Sequence, residues 1–207
     1  MRFLKLLGLV ALFLCSSAMA ATDASSLKLQ VFSVMLSTSP LCTNPVTVFS
    51  NSTPTEVDFM AAPTLGGGNP PDGTYPCVII KMLDGIKFKP SANSGSCTAN
   101  QEYTDSVCQA SEFTNAPDSS ISQNCPSGST DVVYLYITTD KTVPGGGHAF
   151  QQPTSSSAHA YGVPLATPLV IAGTTRSKFV VKATNSVDGS NPTCGMNAPT
   201  FDFQRLP

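Results

Sequence analysis

The sequence predicts an all-β protein, an antiparallel β-sandwich of about nine short strands that carries a disulfide-tied loop insertion. Three observations predict it. Apolar residues alternate with period two along several short runs. Turn-forming residues, 15 glycines and 17 prolines, separate those runs. Almost no stretch shows a convincing 3.6-residue period of an amphipathic helix.

The first run is Leu27–Leu36. Leu27, Leu29 and Val31 share one face, and the pattern then shifts at Phe32-Ser33-Val34, as it does at a bulge or in a strand covered on both faces. Val46–Phe49 and Glu56–Phe59 are two short strands, separated by the turn-rich Ser50–Pro54. The segment from Leu65 to Gly73 holds Gly66-Gly67-Gly68 and Pro70-Pro71 and cannot be helical. Thr74–Met82 is a strand with Pro76 near its start, where a missing ladder donor is tolerated. Asp84-Gly85 is a hairpin signal that returns the chain into Ile86–Lys89.

Residues 91–130 differ in kind. They are rich in Ser, Asn, Thr, Gln and Cys and poor in large apolar side chains, which predicts a cross-linked insertion with a short helix near Asp105–Ser111 rather than a second domain. Strands resume at Asp131–Thr138. A long loop spans 140–162, and Pro168–Ile171, Lys178–Ala183 and Thr200–Phe203 complete the set.

The ends and the cysteines place the chain. Arg2 and Lys5, the apolar Leu6–Leu14 and the small-x-small Ala18-Met19-Ala20 read as a secretory signal over residues 1–20, leaving 21–207 as one domain. The rival readings are a buried N-terminal helix and lipidation at Cys15, although bulky Leu14 precedes that cysteine. Six cysteines remain beyond the signal: Cys42, Cys77, Cys97, Cys108, Cys125 and Cys194. An even count in an exported chain implies disulfides, with 15 possible pairings. A zinc site would favour Cys-x2-Cys pairs, and the sequence has none.

Charged residues are only 12% of the chain, with 11 Lys plus Arg against 13 Asp plus Glu. That balance excludes a basic nucleic-acid binder. No apolar run after the signal reaches the ~18 residues of a membrane-spanning helix.

The order of elements in the first half resembles the prealbumin-like β-sandwich domains of bacterial exported proteins and lipoproteins. The residues that carry it are Leu27–Leu36, Val46-Thr47-Val48, Glu56–Met60, then Asp72-Gly73-Thr74-Tyr75 entering Val78-Ile79-Ile80. The resemblance covers about 60 residues and implies a sandwich fold at the envelope or surface. It carries no catalytic residues. Pro76-Cys77 and the Cys-rich segment depart from its pattern.

Reactive groups are few. His148 and His159 are the two histidines, both in the long loop, and no Gly-x-Ser-x-Gly elbow accompanies them. Gly66–Gly68 and Gly145–Gly147 lack the Lys-Ser/Thr of a phosphate loop. The carboxylate pairs open to glycoside chemistry are Glu56 with Asp58 and Glu102 with Asp105; Glu112 is the third and last glutamate.

The expected function is therefore non-enzymatic, with no cofactor or metal: an interaction or structural module at the envelope or cell surface that meets a protein or a glycan. The alternatives are a secreted carboxylate-dependent hydrolase, a periplasmic small-ligand or metal binder, and a pilus-type subunit with Ala21–Leu27 as donor strand. Sparse charge also weakens the usual protection of edge strands.

Overall fold

A computed structural model describes residues 21–61, 70–125, 130–141, 148–154, 161–173 and 177–205. Residues 1–20, expected as a signal, with Cys15 among them, both Gly-Gly-Gly runs and His159 lie outside them. In chain order the strands are β1 (Ala24–Ser37), β2 (Val46–Asp58), β3 (Gly73–Tyr75), β4 (Cys77–Leu83), β5 (Gly85–Pro90), β6 (Tyr103–Ser106), β7 (Phe113–Asn115) and β8 (Ser122–Asn124). They continue as β9 (Val132–Thr138), β10 (Val163–Pro164), β11 (Leu169–Ile171), β12 (Ser177–Lys182), β13 (Val187–Asp188), β14 (Gly195–Met196) and β15 (Thr200–Arg205). The described chain is all-β. Its one helical turn is the single 3-10 turn Phe59–Ala61.

Fifteen strand segments appear among the described residues, more than the alternation pattern predicts. The extra ones, such as β10, β13 and β14, are two residues long, too short for a period-two pattern to register. Val46–Phe49 and Glu56–Phe59 are not separate strands: their residues lie in the single strand β2, which bridges the turn-rich Ser50–Pro54, with Phe59 opening the 3-10 turn. No helix forms near Asp105–Ser111; Asp105 and Ser106 end β6 and turns follow.

β1 is the axis of a seven-stranded sheet. Val31 pairs with Thr55 of β2 and with Met82 of β4, while Lys28 pairs with Asp58 of β2 and with Lys87 of β5. A residue has two edges, so β4 and β5 share the edge opposite β2 and run end to end along β1. The bulge expected at Phe32 is present, as a register shift between Val31 and Ser33 against both neighbours. Beyond it Ser33–Ser37 is buried throughout, so the strand is covered on both faces there.

Asp84-Gly85 is consequently not a hairpin. It is the joint between β4 and β5, and the chain continues in one direction through it. The outer edge repeats the arrangement: β4 pairs with β9 and β5 pairs with β6, both antiparallel. β6 and β9 therefore also lie end to end, and residues 107–125 loop out of the gap between them, with 130 and 131 leading back into β9. This is the predicted insertion with narrower bounds, because Tyr103–Ser106 already belongs to the sheet. The excursion carries the β7–β8 hairpin.

Even-numbered residues of β4 and β5 face the main core. Val78, Ile80, Met82, Ile86 and Phe88 cluster there with Leu27, Leu29 and Val31 of β1. Phe179, Val181, Phe201 and Phe203 of the β12–β15 pair join the same cluster. The Phe179 ring packs against Phe59, Phe201 and Phe203 at centroid distances of 5.0–6.0 Å. Each such side chain contributes about 2 kcal/mol by leaving water. The odd-numbered Cys77 and Ile79 join Met35, Cys42 and Tyr136 in a smaller core on the other face. The Tyr136 hydroxyl donates to the Asn115 carbonyl there, at 2.6 Å.

All six cysteines are paired: Cys42–Cys77, Cys97–Cys194 and Cys108–Cys125, at Cα separations of 5.4, 4.9 and 5.6 Å. The first ties the loop after β1 to β4, the second ties the polar segment to the β14 region, and the third closes the excursion. Gly189 lets the second junction form. Its backbone approaches Ser94 so closely that a Cβ would overlap the Ser94 carbonyl, and its own carbonyl accepts the Ser96 N–H at 3.0 Å.

Across β2, β1 and β5, Lys28 and Lys87 stand opposite one another. Glu56 bridges them, at 3.4 Å to Lys28 and 2.8 Å to Lys87, and Glu102 adds a 3.1 Å contact to Lys28. The hydrogen bond from Lys87 is the main cause holding the Glu56 carboxyl below its usual range. A depressed acid stabilises the fold above its unfolded pKa and loses that effect as pH falls through the folded one. Glu56→Gln should thus flatten the decline in denaturation midpoint below about pH 4.5, the ordinary range of glutamate, and added salt should shrink the difference between the two proteins.

Candidate functional site

Asp84 occupies the joint of the inner strand, facing the gap in the outer one. It is fully buried. Its N–H donates to the Asp131 carbonyl at 2.7 Å, on the returning side of the excursion. Its carbonyl accepts the Val107 N–H at 3.4 Å, on the leaving side. Its carboxylate accepts the Ser106 hydroxyl and the Cys108 N–H, the latter at 2.6 Å. Where the outer strand departs, ladder donors lose their partners, and this side chain supplies an acceptor in their place. Burial is the main influence on the carboxyl and raises its pKa; the hydrogen-bond donors of Ser106, Cys108 and Val107 work against it.

A cleft of about 180 Å³ opens beside this joint. Its floor is apolar: Leu27 and Leu29 of β1, Met82, Ile86, Leu135 and Phe201. Phe150 and Val163 extend it. One lip is the start of the excursion, with Asp105, Gln109 and Glu112; the other is Met196–Pro199 between β14 and β15. Both lips are anchored by sulfur, the first through Cys108 and the second through Cys194. They are also latched together, since the Met196 N–H donates to Asp105 Oδ2 at 3.1 Å. Glu112 Oε2 accepts the Gln109 N–H at 2.7 Å, and the Glu112 carbonyl accepts the Cys125 N–H at 2.9 Å.

The carboxylates predicted as pairs separate. Glu56 and Glu102 belong to the lysine ladder. Asp58 accepts the Ser26 hydroxyl at 2.7 Å and the Met60 N–H at 2.9 Å. Asp105 instead shares the cleft with Glu112, a pairing that depends on how the excursion folds and has no mark in the spacing of the two residues. Asp84 was legible only as a turn residue, because an Asp-Gly dipeptide looks the same at a hairpin and at a strand joint. His148 is exposed, with its ring 4.7 Å from that of Tyr161 and its carbonyl accepting the Gly162 N–H at 2.9 Å. Ala24–Leu27, part of the segment expected as a donor strand, is built into β1 and paired with β5.

Fold and site together describe an all-β chain framed by three disulfides around an apolar cleft with one acidic lip. No protein-family model matches the chain, and neither a curated protein nor a solved structure does.

Proposed function

We propose that this chain is an exported, non-enzymatic β-sandwich module that acts by binding at the envelope or cell surface. The observation that carries the reading is the use made of the cleft carboxylates. Asp105 and Glu112 each accept a backbone N–H and so shape the mouth of an apolar cleft, and a concave apolar floor with a few convergent polar groups is the usual form of a binding site. Three disulfides fit an oxidising compartment. Among the described residues no helix is long and apolar enough to cross a membrane. The sandwich assignment rests on the shared core, where the seven-stranded sheet and the β12–β15 pair contribute side chains to one cluster. The prealbumin-like relationship rests on the order of β1, β2, β3 and β4.

Fractionated cells should hold the protein outside the cytosol with all six cysteines oxidised. The purified protein should release no reducing ends from polysaccharides. Turnover that disappears in Glu112→Gln would overturn the reading in favour of a hydrolase.

A further inference from the structure

The cleft has a ligand preference written into its two halves. Its floor, formed by Leu29, Met82, Ile86 and Leu135 among others, offers no hydrogen bond. Its rim carries Asp105 and Glu112, and among the described residues no Lys, Arg or His lines it. Each carboxylate gives one oxygen to a backbone N–H and keeps the other. An anion would meet two negative groups at the mouth. A neutral apolar molecule would fill the floor but strip water from the rim carboxylates without replacing it, which costs free energy. A cation attached to an apolar body satisfies both halves. The volume, about 180 Å³, is close to that of an engineered apolar cavity of about 150 Å³ that accepts benzene, so the body is limited to one ring or a short chain.

We propose that the cleft binds small amphiphilic primary amines, with the apolar body against Leu29, Ile86 and Leu135 and the ammonium between Asp105 and Glu112. The inference rests on reading the cleft as a binding surface, and it names the class of ligand.

The test uses the whole oxidised protein and three probes of one shape: phenethylamine, 2-phenylethanol and phenylacetate. Binding is followed by calorimetry and by methyl NMR shifts of Leu29, Ile86, Leu135 and Val163. Phenethylamine should bind at least about tenfold more tightly than the alcohol, the difference expected of one charge-assisted contact, and phenylacetate more weakly than either. Glu112→Gln keeps an acceptor for the Gln109 N–H and should weaken binding of the amine several-fold, with the alcohol unchanged, because Asp105 alone then faces the ammonium. Ala149→Phe, which fills the cleft, should abolish the shifts for all three probes while the far-UV spectrum stays that of a β protein. Equal affinity for amine and alcohol, unchanged amine binding in Glu112→Gln, or no methyl shift with any probe overturns the inference. Polymer hydrolysis would overturn the proposed function alone and leave the amine preference to be read independently.

Discussion

Replacing Cys97 and Cys194 together by alanine should cost about 5 kcal/mol of stability, the largest loss expected of the three bridges. The Cys97–Cys194 bond spans 97 residues, against 35 for Cys42–Cys77 and 17 for Cys108–Cys125. A longer closed loop removes more conformational freedom from the unfolded chain, so the same treatment gives about 4 kcal/mol for the second bond and about 3 for the third. The long bond also joins the polar segment, which has few apolar side chains of its own, to the β14 region. Losses of this size approach the whole stability of a small domain, ~5–15 kcal/mol. Urea denaturation of the three double variants should rank them in that order. A Cys97/Cys194 variant as stable as the parent would show that packing alone holds this junction.

Asp84→Ala should cost about 3 kcal/mol, because it leaves the buried Cys108 N–H without its acceptor and removes the carboxylate's bond to the Ser106 hydroxyl. Asp84→Asn should cost much less. It keeps a carbonyl oxygen for the Cys108 N–H, Ser106 can reverse its hydrogen bond, and no charge is buried. The two substitutions therefore separate the hydrogen-bonding role from the charge. The sign with pH follows from the raised pKa. The folded protein holds a proton on Asp84 where the unfolded chain has released it, so stability from this group falls as pH rises through that window. On acidification toward the ordinary aspartate value of 3.8 the parent should gain stability relative to Asp84→Asn, opposite in direction to the Glu56 effect. Chemical denaturation of both proteins between neutral and acid pH measures it. Opening of the joint should also free the excursion, so amides at Val107 and Cys108 should exchange faster in Asp84→Ala.

The strands that were legible are those with long alternating runs. β12, β15 and the Leu27–Val31 part of β1 bury one set of alternate side chains, while β4, β9 and the end of β1 are covered on both faces over part of their length; in each case burial selects the apolar residues that reveal the strand. The bulge at Phe32 was legible for the same reason, since an extra residue moves the apolar set to the other face. β6, β7 and β8 were not. Their sequences, Tyr103–Ser106, Phe113–Asn115 and Ser122–Asn124, are mostly polar, and they are held by ladder hydrogen bonds and cross-links. The Asp84-Gly85 joint was misread because local turn propensity carries no information about which strand lies alongside.

By itself the sequence determined that this is a β protein with few charges and with six of its seven cysteines beyond residue 20, since period and composition are properties of neighbouring residues and of totals. Tertiary structure decided which cysteines meet, that β4 and β5 form one interrupted line, and that Asp105 and Glu112 come to share a cleft. Those are relations between residues far apart in the chain. They follow from how the strands pack against a common core, a sum over many contacts that no local pattern encodes.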